Sequence, residues 1–167
     1  MSIPPYWASI IDPNNPACPI RLQSVPQGFE FETAEEEYLD PCGEEGSSAV
    51  KGLVHRYPDR VLFLVNEMCA MYCRYCTRSR MVGDGNHTLN TATYDAALNY
   101  IREHKEIRDV LISGGDPLTL GDRMLEYIIS SVKAIPHVEF VRIGTRIPCT
   151  LPQRITPELI AMLKKYS

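Results

Sequence analysis

The sequence predicts an α/β fold of about three consecutive βα units preceded by an irregular arm. Three observations carry that expectation. Three short apolar runs, Val61–Val65, Asp109–Ser113 and Val138–Ile143, read as buried strands. The first two are followed by stretches with apolar residues at i, i+3, i+4 and i+7: Tyr94, Ala97, Leu98 and Ile101, then Leu125, Ile128, Ile129 and Val132. A third helix is expected from Pro157, a residue suited to a first helical turn. Repeated strand–loop–helix order implies parallel strands joined by right-handed crossovers.

Two regions differ in texture. Residues 1–50 form the arm, rich in Pro, Asn, Gly and Glu, where Asp12-Pro-Asn-Asn-Pro16, Pro19 and Pro26 are expected to break regular elements. Thr33–Leu39 predicts one short helical turn, ended at Asp40-Pro41. Ile10, Ile11, Ile20, Leu22, Val25, Phe29 and Phe31 argue that the arm docks on a core or a partner subunit rather than being disordered. Residues 51–167 hold the βα units. Gly52–Arg60 leads into the first strand, Thr91 or Thr93 caps the first helix, and Pro136 marks the end of the second. No fourth strand follows Lys164-Lys165, so the expectation is the N-terminal piece of a longer protein. The alternative is a short module that closes by dimerising.

Composition narrows the function classes. A chain of 167 residues supports one domain with a real core. A formal charge of −4, with 23% charged residues and no basic stretch, excludes a nucleic-acid-binding reading. No apolar run approaches the roughly 20 residues of a membrane span, and the N-terminus lacks a signal peptide pattern, so a cytoplasmic location is expected. The six cysteines agree, because three of them cluster as if for metal chemistry in a reducing compartment. Cys18, Cys42 and Cys149 are scattered and read as small structural residues.

The clustered three are Cys69, Cys73 and Cys76, spaced C-x3-C-x2-C just after the first strand. Such a group holds an iron–sulfur cluster by thiolate ligation, and three thiolates on a [4Fe–4S] cube leave one iron open. A structural zinc site wants four ligands; His55 and His87 are the nearest candidates, neither regularly spaced. A fully ligated electron-transfer cluster also needs a fourth protein ligand, and the next cysteine, Cys149, is far along the chain. Gly114-Gly115-Asp116 follows the second strand and reads either as a tight turn or as a backbone cradle for a polar ligand. Asp116 would hold that turn or accept from an ammonium group. Arg74, Arg78 and Arg80 are either solvated or recognise anionic groups.

These motifs resemble the radical S-adenosylmethionine enzymes, and more specifically the lysine 2,3-aminomutase family. The resemblance rests on Pro19–Gln23, Leu53–Leu64, Tyr72–Arg78, Ile112–Leu118, Arg142–Arg146 and Leu151–Thr156, and runs from about residue 12 to the end. It implies a partial (β/α) barrel with a [4Fe–4S] cluster on Cys69, Cys73 and Cys76. S-adenosylmethionine would chelate the open iron, with Ser113, Gly114, Gly115 and Asp116 against its methionyl part. Pyridoxal 5′-phosphate would lie against Arg56, Tyr57 and Arg60; the plainer reading of the two arginines is ion pairing, with Asp59 at hand. Arg78 matches the arginine that pairs with the substrate α-carboxylate, against the alternative of a solvated side chain.

The implied activity is that of an L-amino acid 2,3-aminomutase, an isomerase. L-Lysine is the first expectation; glutamate, arginine or a lysine on a translation factor are alternatives. An electron donor such as flavodoxin or ferredoxin and a homo-oligomer of the full-length protein are implied too. Two positions depart from the family pattern: Tyr75 stands where His is common, and Cys149 replaces a more usual apolar residue. The family's Schiff-base lysine lies further along, and none of Lys51, Lys105, Lys133, Lys164 and Lys165 matches it. Residues 1–167 alone are therefore expected to bind a cluster without completing the mutase reaction.

Overall fold

The computed structural model describes residues 1–83 and 89–167. The arm carries two short helices, α1 (Pro5–Ser9) and α2 (Pro19–Leu22). Five strands follow in one sheet: β1 (Ser48–Val50), β2 (Leu53–Tyr57), β3 (Arg60–Leu64), β4 (Asp109–Ser113) and β5 (Phe140–Ile143), adjacent in that order. Helix α3 (Thr91–Glu103) connects β3 to β4, and α4 (Asp122–Lys133) connects β4 to β5. A short α5 (Ile147–Thr150) and then α6 (Pro157–Lys164) follow β5.

The three expected strands are parallel, with Phe63 opposite Ile112 and Ile112 opposite Ile143. The α/β class is therefore present, as an open sheet with three βα units. The sheet also has two antiparallel strands not expected from sequence, β1 at the end of the arm and β2 in the lead-in Gly52–Arg60: β1 pairs with β2, and β2 with β3. Pro58-Asp59 turns that second hairpin, so His55, Arg56 and Tyr57 lie on a strand.

One face of the sheet carries the core. Val61 and Phe63 of β3 and Val110 and Ile112 of β4 are buried with the predicted stripes of α3 and α4, joined by Leu159 and Met162 of α6. Tyr94 anchors α3: its ring meets Phe63 edge-on, and its buried hydroxyl donates to Val65 O at 2.7 Å. The cap of α3 is Asn90, not Thr91 or Thr93. Asn90 Oδ1 accepts from Thr93 N while Asn90 N donates back to Thr93 Oγ1 at 2.9 Å, a reciprocal pairing that a lone threonine cap lacks. The other face is left open by the helices. Val54, Leu62, Leu111 and Arg142 lie side by side there across four strands.

The arm differs from expectation in three ways. Pro19 starts a helix instead of breaking one, as Pro5 also does at α1, because the amide each lacks is one a first turn leaves unpaired. Thr33–Leu39 makes a turn rather than helix, with Glu37 N donating to Ala34 O; three adjacent carboxylates and no apolar face leave nothing to stabilise it. Docking relies on Trp7, Cys18 and Ser24, which are buried, while Phe29, Phe31 and Leu22 stay exposed. Polar contacts dominate: Tyr72 N donates to Ser2 O, Arg74 N to Gln23 O, and Arg74 pairs with Glu30.

Two loops at the C-terminal edge of the parallel strands are pressed together. Gly115 N donates to Asn66 O at 2.8 Å and Asp116 N to Met68 O at 2.7 Å. A Cβ on Gly115 would sit 2.3 Å from Met68 O, and Gly114, at φ +132°, has Asn66 O equally close. Gly115→Ala is expected to lower stability by about 1–3 kcal/mol or more, because the obstacle is backbone. Gly28→Ala, with open space around it, is the control and should stay within about 0.5 kcal/mol. Urea unfolding followed by circular dichroism checks both.

Candidate functional site

The loop after β3 brings the three thiols together. It is shaped by local bonds, Cys76 N to Cys73 O and Ser79 N to Cys76 O, both 3.2 Å, and tethered by Gly83 N to Glu67 O at 2.9 Å. Cys69, Cys73 and Cys76 line one cavity of about 370 Å³ with Ser113, Gly114, Gly115 and Asp116. Burial first, then the charges of Asp116, Cys76 and Cys73, pushes the Cys69 thiol up to about 12. Such a thiol keeps its proton until a cation displaces it. Among the described residues no three His, Cys, Asp or Glu side chains converge on a single ion. The donor set instead fits a polynuclear cluster, where each thiolate binds its own iron.

Asp116 acts as the brace of this site. Its Oδ1 accepts from Thr145 Oγ1 at 2.6 Å and Leu118 N at 3.0 Å, and its Oδ2 from Arg146 N at 2.7 Å. Both oxygens are spent on the turn, and the carboxylate is buried. The amides of Gly115 and Asp116 are likewise taken by the cysteine loop. Ser113 is buried, and its hydroxyl makes no hydrogen bond among the described residues, so it is available to a ligand in the cavity.

Arg146, on the loop after β5, belongs to the motif Arg142–Arg146 but was given no role from sequence. Its Nη1 donates to Cys73 Sγ at 2.6 Å and its Nη2 to Gln23 Oε1 at 2.9 Å. The guanidinium lies 5.6 Å from the Trp7 ring centre and 5.4 Å from that of Tyr75. The signal was available: Arg146 follows a parallel strand, where βα folds place function.

A second cavity, of about 320 Å³, opens over the helix-free face. Arg56, Tyr57, Arg60, Arg78 and Arg142 line it, above Leu62 and Leu111. Arg60 pairs with Asp59 at 3.2 Å and sits over the Tyr57 ring, while Arg142 pairs with Asp109 at 2.6 Å. Arg56 donates to Cys42 O. Arg78 lines both cavities and therefore stands between them. Its partner is Glu44, a buried residue of the arm that no sequence pattern marked.

The remaining candidates fall elsewhere. His55 meets the Tyr100 hydroxyl at 3.0 Å and does not line the cysteine cavity; His87 lies outside the described residues. Cys18 is buried in the arm, and Cys149 is exposed.

Comparison with known proteins agrees with this geometry. The chain is 53% identical over 166 residues to an L-lysine 2,3-aminomutase of Clostridium subterminale, covering 99% of this chain and 40% of that protein. It is 54% identical over 166 residues to one from Bacillus subtilis (99% and 35%). A glutamate 2,3-aminomutase of Clostridioides difficile is 50% identical over 165 residues (99% and 39%). The chain thus spans about two fifths of the length of these relatives. A profile of the Radical SAM superfamily matches residues 63–167, which run from the end of β3 to the end of the chain and contain the three cysteines, and the chain belongs to that superfamily.

Proposed function

We propose that this chain supplies the cluster, S-adenosylmethionine and anion-recognition elements of an L-lysine 2,3-aminomutase, an isomerase that moves an amino group from Cα to Cβ. The observation that carries the reading is a pair of adjoining cavities sharing Arg78, one lined by three thiols and the other by arginines. The aminomutase relatives favour that chemistry over a simple electron carrier.

Cys69, Cys73 and Cys76 would hold three irons of a [4Fe–4S] cluster. Ser113 and the Gly114–Asp116 turn would border S-adenosylmethionine, with Asp116 keeping the turn in place. Arg56 and Arg60 would take the phosphate of pyridoxal 5′-phosphate beside Tyr57. Arg78 would take the α-carboxylate of the amino acid. Bound there, these cofactors supply a carbon-centred radical and a carrier for the migrating nitrogen. The arm of residues 1–50 closes the thiol side of module 51–167 through Trp7 and Gln23, limiting access of water and oxygen. An electron donor of the flavodoxin or ferredoxin type, homo-oligomeric assembly and a cytoplasmic setting belong to the same reading. Among the described residues no helix is long and apolar enough to cross a membrane.

Anaerobic reconstitution with iron and sulfide, followed by reduction and addition of S-adenosylmethionine, should yield 5′-deoxyadenosine. Cys73→Ser should lose both iron and that product, and normal cleavage by this variant would refute the ligand assignment. With pyridoxal phosphate present, the full-length protein should convert L-lysine to β-lysine in preference to L-glutamate or L-arginine offered in parallel. Residues 1–167, which lack a counterpart of the carrier lysine, should not. The arginine cavity has its own check. Arg60→Met should weaken pyridoxal phosphate binding about tenfold while barely changing that of pyridoxal, as titration by absorbance would show.

A further inference from the structure

Arg78 does not meet the cavity as a free side chain. Its Nε donates to both Glu44 oxygens, at 3.1 and 2.9 Å, and its Nη2 to Glu44 Oε1 at 2.7 Å. That is a side-on fork. The end edge of the guanidinium, formed by Nη1 and the outer hydrogen of Nη2, makes no hydrogen bond among the described residues. Glu44 and Arg78 side chains are 11% and 21% exposed, so this pair is shielded in a way the other arginine pairs of that cavity are not.

Glu44 reaches Arg78 from a loop that is secured without it. Asp40 forms an ion pair with Arg80 at 3.1 Å and accepts from Glu45 N at 2.9 Å, Arg56 donates to Cys42 O, and Gly43 turns the chain at φ +61°. The loop therefore delivers a carboxylate to a fixed place. We propose that Glu44 is a positioning residue: it holds Arg78 side-on so that the end edge of the guanidinium is presented to the substrate carboxylate. The proposal rests on the reading of Arg78 given above. An arginine side chain left free would lose rotamer freedom on binding; pairing it beforehand moves that cost into folding. The pair is close to neutral, as are Arg60 with Asp59 and Arg142 with Asp109, so long-range attraction of the acid falls to Arg56, which pairs with no acidic side chain among the described residues. Glu44 thereby contributes geometry rather than charge.

The test uses the full-length holoenzyme with L-lysine as probe. Calorimetry on the unreduced protein gives Kd without turnover, and steady-state assays give kcat and KM. Glu44→Gln preserves volume and one acceptor but loses the charged fork. It should raise Kd and KM about tenfold while leaving kcat within about twofold. Combined with Arg78→Lys, it should add little further weakening, since both changes remove one arrangement. If Arg78→Lys weakens L-lysine while Glu44→Gln leaves it unchanged, or tightens it as removal of a competitor would, the positioning role is overturned. If Arg78→Lys itself has no effect on L-lysine, the carboxylate reading of Arg78 has failed, and the role of Glu44 falls with it.

Discussion

The contact between Gly114–Gly115 and the backbone of Asn66–Met68 is the constraint on which the candidate site depends. Two loops leave neighbouring parallel strands at the same edge of the sheet, and only residues without a Cβ let them meet at hydrogen-bond distance. Asn66 strengthens the join by donating through Nδ2 to Asp116 O at 2.9 Å and Thr119 Oγ1 at 2.7 Å. The cysteine loop is thereby held against the turn that Asp116 braces, and that turn is tied to Thr145 and Arg146 after β5. Three consecutive strand ends thus act as one rigid rim.

Electrostatics organises the second layer. The cysteine loop carries Arg74, Arg78 and Arg80, and the arm answers with Glu30, Glu44, Asp40 and Glu45. The most solvent-facing of these pairs, Arg80 with Glu45, contributes little stability. The effect of the set is to direct the arm across the loop, where Trp7 and Gln23 then cover the Cys73 side. A hydrogen bond to Glu30 from Arg74 holds that carboxyl below its ordinary value, so this contact is present above the usual glutamate range and is lost as pH falls through the lowered value. This contact is therefore kept throughout the pH range above that of glutamate titration.

Much of this was legible before any coordinates. The runs Val61–Val65 and Asp109–Ser113 and the stripes of α3 and α4 are strong periodic signals, and their burial follows from them. Leu53–Tyr57 escaped because its burial fades along the strand from Leu53 to Tyr57 rather than alternating, so no period-2 pattern exists to read. The arm escaped for a related reason. Hydrophobic residues such as Phe31 suggested docking points, yet the arm is fastened by main-chain groups and by Ser2, Gln23 and Glu30, which leave no periodic trace.

The amino-acid sequence by itself determined the chemistry: which thiols can ligate, which glycines permit close approach, and that each candidate loop follows a strand. These properties depend on residue type and on spacing of a few positions, which the covalent chain sets directly. Only the tertiary structure decided which acid meets which arginine. Glu44 and Arg78 are 34 residues apart, and Gln23 and Arg146 are 123 apart. No local rule brings such pairs together; the path of the arm over the sheet does.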